Sequence, residues 1–149
     1  MKSCGKYACL FVVLAASVGH ADDSILPSGD AKPALSSAYF PDRVHEFVWR
    51  NWTSLPPEKL GSVIGASADE VAAIAESMGL ARDAQVEPDM RKRGYVTIIR
   101  RNWHLLPYEQ LLQLLDMTPG ELSVMLREED FLWHKLGRVK PQCEPLRYS

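Results

Sequence analysis

RNWTSLPPEKL, residues 50–60, returns 51 residues later as RNWHLLPYEQL, residues 101–111. The alignment continues without a gap to Glu70 and Glu121, and 8 of its 21 paired positions are identical. Ordinary residue usage would give about one or two identities over such a length. This self-similarity indicates that one structural unit is present twice. The duplication predicts an architecture, but it does not by itself name a ligand.

Apolar residues ahead of each copy of the motif recur at helical spacing, which predicts an amphipathic first helix. The stripes are Val44, Phe47, Val48 and Trp52 in the first copy, and Tyr95, Ile98, Ile99 and Trp103 in the second. Pro41 is expected in the first turn of the first helix, where its missing N–H has no intrahelical partner. Gly94 is expected to mark the entry to the counterpart.

A second, short helix is predicted after the motif. Pro56 and Pro107 are placed at its N1 position, with a carboxylate at N3 near the unpaired N–H groups of the first turn. The N3 carboxylates would be Glu58 and Glu109. The helix is expected to end at Gly65 in the first copy and near Asp116 in the second.

A third helix opens with a capping box in each copy, in which a hydroxyl and a glutamate satisfy each other's backbone N–H groups. The two boxes are Ser67 with Glu70 and Thr118 with Glu121. Gly79 is a suitable C-terminal stop in the first copy. In the second copy, the pattern leaves open whether the helix continues through residues 131–133 to Gly137.

Each copy therefore predicts three helices, the last two joined by a turn of about three residues. LGSVIGASADEVAAI at residues 60–74 resembles the helix-turn-helix superfamily. The helices of the two copies predict an all-α fold of two tandem three-helix units at residues 39–80 and 91–137. The polar residues 81–90 would join them as a linker, and residues 138–149 would form an extended tail.

The N-terminus has the layout of a secretory signal peptide at residues 1–21, with two lysines, a short apolar run and a small-x-small site before Asp22. The apolar run at residues 7–18 is short for a membrane span, although a short membrane anchor is the alternative. Cleavage would leave no membrane span and a flexible leader at residues 22–38. The mature chain would be periplasmic or extracellular, with 15 basic and 19 acidic residues once the two lysines leave.

Two of the three cysteines lie in the predicted signal peptide, so Cys143 would remain alone and no intrachain disulfide is expected. Its Pro-flanked surroundings leave two interpretations open. The thiol could pair with another chain, or it could be incidental to the end of a unit.

The charge pattern disfavours nucleic acid as a partner. A helix-turn-helix protein would present its third helix to the major groove, where several Lys or Arg contacts are normally needed. The first copy's third helix carries Asp69, Glu70 and Glu76 and no basic residue. The second copy carries Arg127 among four acids. An exported, net acidic chain is also kept away from DNA.

No catalytic or metal-binding motif stands out, and no cofactor is predicted. The acids repeated in both copies have a sufficient explanation in helix capping. His45, His104 and His134 are scattered without a helical partner or a nearby Cys, so metal ligation has no basis. The sequence therefore predicts a protein that is not an enzyme.

The repeated Arg-Asn-Trp is the only candidate binding motif, and it has two interpretations. The residues are Arg50, Asn51, Trp52, Arg101, Asn102 and Trp103. Exposed tryptophans beside polar groups could stack on sugar rings. The structural interpretation is favoured because each Trp falls on the apolar stripe. The asparagines would then bond the backbone at the helix end, and the arginines would cover the indoles or reach an acid.

A second resemblance concerns the end of the chain. RNWHLLPYEQLL at residues 101–112, LREEDFLWHKLG at 126–137 and KPQCEP at 140–145 resemble a helical segment near the N-terminus of large exported bacterial proteins, some of which look like carbohydrate-processing enzymes. This resemblance implies a leading accessory segment of such a protein. The sequence thus favours a secreted, non-catalytic binding or scaffold module, whose partner is an unknown protein or a carbohydrate. The accessory segment and a DNA-binding protein are the alternatives.

Overall fold

A computed structural model of the chain describes residues 26–27, 32–83, 86, 94–129 and 131–149. Within these residues the regular structure is α-helical, with one isolated parallel bridge between Pro33 and Gln142. The helices are α1 Arg43–Asn51, α2 Pro57–Ile64, α3 Ala68–Ser77, α4 Tyr95–Asn102, α5 Tyr108–Leu115, α6 Pro119–Glu128 and α7 Leu132–Lys135. The all-α prediction is confirmed.

In each copy, the first helix begins within one helical turn of the residue at which the sequence predicts its start. Asp42, rather than Pro41, caps α1, and its carboxylate accepts a hydrogen bond from the His45 N–H at 2.9 Å. Pro41 therefore lies outside the helix. Burial alone would raise the pKa of the Asp42 carboxyl, but the hydrogen bonds and charge of His45 lower it below its usual value. Gly94 precedes α4 as predicted.

The prolines of the motif lie one position earlier than predicted. Pro56 and Pro107 are the N-cap residues of α2 and α5, with extended backbones at ψ of 151° and 166°. Pro57 contributes to this shift, because a residue before proline is excluded from the helical region. The repeated acids Glu58 and Glu109 consequently occupy N2 instead of N3, still within the positive end of the helix dipole.

Both capping boxes are present as predicted. The Glu70 N–H donates to Ser67 Oγ, and the Ser67 N–H donates to Glu70 Oε2 at 2.7 Å. Thr118 and Glu121 form the same pair of bonds at the start of α6. The preceding helix ends in each case at a left-handed residue, which is Gly65 at φ 76° and Asp116 at φ 53°.

The last helical stretch is interrupted. α6 ends at Glu128, and Phe131 adopts a left-handed backbone at φ 53° before the single turn of α7. A continuous helix to Gly137 is therefore not formed. The break turns Leu132 into the core, where it is almost fully buried, and leaves the Phe131 side chain mostly exposed.

α1–α3 and α4–α6, which we call the first and second segments, share one hydrophobic core. α1 packs against α4, and α2 packs against α5. Within the first segment, α3 closes the core against both α1 and α2. The largest fully buried side chains, led by Trp103 and Phe47, come from both segments. The core is therefore continuous across the seam between them.

The described parts of the leader and the tail lie against this helical body. Leu26 is buried, and the Tyr108 hydroxyl donates to the Pro27 carbonyl at 2.9 Å. Ala34 and Gln142 pair their backbones, so leader and tail run together. Among the described residues of the leader, Leu26 is an apolar anchor that the sequence analysis did not predict.

Several predictions fall outside the described residues. They include the signal peptide at residues 1–21 and most of the linker at residues 81–90. In the part of the chain that the structure does describe, none of the helices has the length and apolar character needed to cross a membrane.

We expect Ser67→Ala or Thr118→Ala to lower the free energy of unfolding by about 1 kcal/mol, the usual loss when an N-cap is removed. The hydrogen bonds of each box also lower the pKa of Glu70 and Glu121. Ionised boxes therefore stabilise the fold above the unfolded-state pKa of these carboxyls, and the contribution is lost as the pH falls through the folded-state pKa. Urea unfolding at several pH values should show the variant and unmodified chains converging in acid.

Ser62→Ala is the matched control, because the Ser62 hydroxyl is exposed and bonds back to the Lys59 carbonyl within α2. That change should leave the free energy of unfolding within about 0.5 kcal/mol of its original value. Equal effects of Ser62→Ala and Ser67→Ala would contradict a special role for the boxes.

Candidate functional site

The two repeated tryptophans are core residues. Trp52 is 3% exposed and Trp103 is 1% exposed. The Trp52 indole N–H donates to the Ala81 carbonyl, beyond α3, at 3.0 Å, and the Trp103 indole N–H donates to the Val139 carbonyl, beyond α7, at 3.2 Å. The core interpretation of both residues is therefore confirmed. Both indoles are too deeply buried for a sugar ring to stack on them.

The two repeated asparagines bond to each other across the seam. Asn51 Nδ2 donates to Asn102 Oδ1 at 2.9 Å, and Asn102 Nδ2 donates back to Asn51 Oδ1 at 2.8 Å. Each Nδ2 also donates to the carbonyl four residues earlier in its own helix, Phe47 or Ile98, at 2.8 Å. Both side chains are fully buried. The predicted backbone bonds are confirmed, and the cross-pairing was not predicted.

The two repeated arginines also cross the seam. Arg50 Nη1 donates to the Arg101 carbonyl at 2.8 Å, and Arg101 Nη1 donates to the Arg50 carbonyl at the same distance. Arg50 reaches an acid as predicted, since its Nη2 lies 2.5 Å from Glu46 Oε1. Arg101 instead donates to the Ser54 hydroxyl at 2.7 Å.

The Arg-Asn-Trp motif therefore builds the seam between the segments. The reciprocal bonds are of the kind that characterises two-fold interfaces, in which residue i contacts j and j contacts i. Asn51 and Asn102, being buried, cannot receive a ligand from solvent. The sequence contains the signal for this arrangement in the exact repetition of a polar residue on a buried stripe, because such a residue needs a partner.

An exposed tryptophan lies beside the seam. Trp49 is 53% exposed, and its ring packs on Phe40 with a centroid separation of 5.6 Å. It lines a surface groove of about 490 Å³ together with Arg50, Trp52, Thr53, Leu80 and Arg101. We call this the Trp49 groove. Its volume falls in the range of about 300–1,000 Å³ that is usual for small-ligand sites.

The polar groups of the Trp49 groove are held in place by the seam. Glu46 is almost fully buried and fixes the Arg50 guanidinium, which has five N–H donors in a planar fork. The Arg101 guanidinium is fixed by Ser54, while Thr53 presents an exposed hydroxyl position. The groove thus combines one supported aromatic face with oriented hydrogen-bond donors.

A role for Trp49, which lies just before the repeated motif, was not predicted from the sequence. The available signal was its helical phase. Trp49 directly follows Val48 of the apolar stripe, so it points away from the core face. A large aromatic residue in that phase is an exposed residue without a packing explanation.

A second polar cluster surrounds Lys140 in the tail. Its ammonium is buried and donates to the carbonyls of Trp103 at 2.8 Å and Leu106 at 2.7 Å, just after α4. It also lies over the rings of Trp103 and Tyr108 and 3.3 Å from Cys143 Sγ. Burial lowers the pKa of Lys140 and raises that of Tyr108. Lys140 therefore caps the C-terminal end of α4.

The remaining candidate groups do not converge. Within the described ranges, no group of three or more His, Cys, Asp and Glu side chains is arranged to hold a metal ion. Burial, followed by the charges of Lys140 and Arg50, lowers the pKa of His104. Cys143 is a half-buried free thiol.

Neither a protein-family model nor a curated protein nor a solved structure shows significant similarity to this chain. The resemblances to the helix-turn-helix superfamily and to exported bacterial proteins therefore stay predictions. What the chain does has to be argued from its own geometry.

We expect Asn51→Ala to lower the free energy of unfolding by about 1–3 kcal/mol, because it leaves the buried Asn102 amide without its partner. Asn102→Ala should have a similar effect. The double variant should lose less than the sum, because no amide is then left orphaned across the seam. A double-mutant cycle from urea unfolding measures this coupling, and strictly additive effects would contradict a paired role.

Proposed function

We propose that this chain is a secreted, non-catalytic binding module made of two tandem three-helix units, and that it binds a carbohydrate in the Trp49 groove. The proposal rests on the different roles of the repeated residues and of Trp49 at the seam. The repeated motif is used to join the two segments. The exposed tryptophan beside it has no counterpart in the second segment, where Arg100 stands at the equivalent position.

The tandem arrangement is supported by the helix boundaries and by the seam. α2 and α5 begin 51 residues apart, and so do α3 and α6. The turns between these helices have left-handed residues and capping boxes at matching positions. The reciprocal bonds between Asn51 and Asn102 fit two copies of one unit packed about a local two-fold axis.

The chemistry of the Trp49 groove suits a saccharide. The C–H faces of a sugar ring pack on an indole, and its hydroxyls accept from guanidinium donors. Trp49 supplies the indole, while Arg50 and Arg101 supply the donors. Both arginines are already held by the seam, so little side-chain entropy would be lost on binding. An accessory segment of an exported carbohydrate-active protein would have the same need, and the groove fits that alternative equally.

DNA binding receives little support from the third helices of the two segments. In α3, the exposed acids Asp69 and Glu76 pair with Arg82, and Glu70 completes the capping box. A phosphate backbone would meet a mainly acidic surface there, without the cluster of Lys and Arg contacts that DNA affinity requires.

We expect Trp49→Ala to weaken carbohydrate binding at least about tenfold, corresponding to about 1.4 kcal/mol. The fold should be unaffected because the side chain lies outside the core. A glycan array with the mature chain would find the ligand, and isothermal titration calorimetry would give the affinity of the unmodified chain and of the variant. Phe131→Ala, which removes an exposed aromatic residue far along the chain, is the matched control and should leave the affinity unchanged. An array without a hit, or a hit that Trp49→Ala does not weaken, would contradict the proposal.

The proposed export has its own test. The full chain carrying a C-terminal reporter should be recovered outside the cytoplasm, with its N-terminus at Asp22. A precursor recovered uncleaved in the cytoplasm would remove the basis for a secreted module. Gel-shift titrations at low salt should show no tight binding of DNA by the mature chain, and strong salt-sensitive binding would favour the helix-turn-helix alternative.

A further inference from the structure

Near the end of the tail, a glutamine side chain pairs with the backbone in the way that a neighbouring β-strand would. Gln110 Nε2 donates to the Leu146 carbonyl at 2.7 Å, and the Leu146 N–H donates to Gln110 Oε1 at the same distance. One side-chain amide thus satisfies both backbone groups of a single residue. Two further backbone contacts flank this pair. Arg43 donates to the Glu144 carbonyl at 2.9 Å, and the Tyr148 N–H donates to the Ile64 carbonyl at 2.9 Å.

These contacts lie in a groove between the C-terminal end of α2 and α5, with Arg43 of α1 at one side. We call it the tail groove, and define it by Arg43, Val63, Ile64 and Gln110. The Leu146 side chain is buried in it and joins the hydrophobic core. Its neighbours Pro145 and Arg147 are exposed. The tail groove therefore contacts the backbone of the tail and one apolar side chain, that of Leu146.

Hydrogen bonds from α5 to the end of α2 also stabilise the tail groove. The last four carbonyls of an α-helix lack intrahelical partners. At the end of α2, Gln113 donates to the Ser62 carbonyl at 2.7 Å, and Gln110 Nε2 donates to the Val63 carbonyl at 2.8 Å. Since the Gln110 amide is anchored to α2 by one hydrogen bond, it would remain aimed at the groove after the tail had left. Such preorganisation lowers the cost of binding a new segment.

We propose that the tail groove is a binding site for an extended peptide of a partner protein, and that residues 144–148 of this chain occupy it as an internal competitor. The partner segment would carry an apolar residue preceded by proline, as Pro145 and Leu146 do here. Gln110 would form two hydrogen bonds with the backbone of the partner segment. The pocket that Leu146 now fills would hold the apolar side chain of that segment. This is a site separate from the Trp49 groove, and it does not depend on carbohydrate binding.

The geometry favours an exchangeable occupant. Open space of about 550 Å³ and 320 Å³ flanks the tail on its two sides, and both spaces are lined in part by the tail itself. Four of the contacts described above involve backbone groups of the tail, which any extended peptide offers. A tethered segment has an effective concentration of about the millimolar range, so it would hold back weak ligands and yield to stronger ones.

The test uses the full chain with Leu146→Asp, which places a charge in the apolar pocket and expels the tail. A fluorescently labelled peptide EPLRYS, the sequence of residues 144–149, is titrated against this variant and against the unmodified chain by anisotropy. We expect the variant to bind the peptide about tenfold or more tightly than the unmodified chain does. The peptide EPDRYS should not bind either protein.

Two glutamine variants distinguish a direct role in peptide binding from a role in stabilising the fold. Gln110→Ala, added to Leu146→Asp, should abolish peptide binding. Gln113→Ala, added to the same background, removes a similar bond to α2 that does not touch the tail, and should leave binding in place. If Gln113→Ala weakens binding as much as Gln110→Ala does, the effect is structural and the proposal is overturned.

Failure of the first variant to fold would be seen by circular dichroism, and Tyr148→Pro then replaces it. This change removes the N–H that bonds to Ile64 at a partly exposed residue and loosens the tail without touching the core. Absence of peptide binding to a folded tail-released variant would overturn the proposal. So would a dimer of the unmodified chain in sedimentation that Leu146→Asp dissolves, because the groove would then belong to the tail of a second copy.

Discussion

Two buried asparagine amides impose the tightest constraint on this structure. Asn51 and Asn102 have no contact with water, so their donors and acceptors must be satisfied inside the protein. Each uses one N–H for the carbonyl four residues earlier and the other for its counterpart's oxygen. A slip of α1 along α4 by one turn would break both cross-bonds and bury two unpaired amides. The pair therefore fixes the register of the two segments, as buried polar residues do in helical assemblies.

That fixed register determines what lies on either side of the seam. Toward the surface it brings Arg50 and Arg101 together, which orients their guanidinium groups along the Trp49 groove. Toward α2 and α5 it brings Gln110 under the end of α2, which creates the tail groove. Both proposed binding sites are thus consequences of how the segments meet. Neither site could exist on one segment alone, because each takes residues from both.

The sequence predicted the positions of the helices better than it predicted how the helices pack against one another. Periodicity and capping boxes located α2, α3, α5 and α6 because these signals are local. The proline of the motif was misplaced by one residue in both copies, because proline is tolerated both at the N-cap and at N1 and the pattern does not distinguish these positions. The helix after residue 128 was left open because a left-handed Phe131 has no sequence signature. Burial of Trp52 and Trp103 followed from their place on the apolar stripe.

The candidate sites were harder to predict because they depend on contacts between distant residues. The partner of Asn51 lies 51 residues away, and only the seam makes Trp49 a neighbour of Arg101. Cross-pairing of the asparagines could have been inferred, since a repeated polar residue on a buried stripe has an obvious partner in its own copy. Gln110 could not, because nothing in the sequence indicates that the tail returns to α5.

Positions that differ between the two segments contribute to both proposed binding sites. Gln110 and Gln113 correspond to Lys59 and Ser62 in the first segment. Serine is too short to reach across to α5, and Lys59 has no acceptor with which to pair a peptide N–H, so it forms an ion pair with Asp116 instead. Among the described residues, the tail pairs with Gln110 beside the end of α2. At the surface, Trp49 and Thr53 correspond to Arg100 and His104, which gives a single aromatic groove.

This arrangement is what the proposed tandem organisation of two similar units would produce. Residues that are identical in both copies can satisfy each other across a local two-fold axis, so Arg50, Asn51 and their counterparts are well suited to holding the segments together. The paired asparagines are fully buried and closed to ligands, whereas Arg50 and Arg101 still line the Trp49 groove. Positions away from the axis are free to differ, and a difference there produces one site instead of two. Each of the two proposed sites therefore includes a residue that differs between the segments, Trp49 in one and Gln110 in the other.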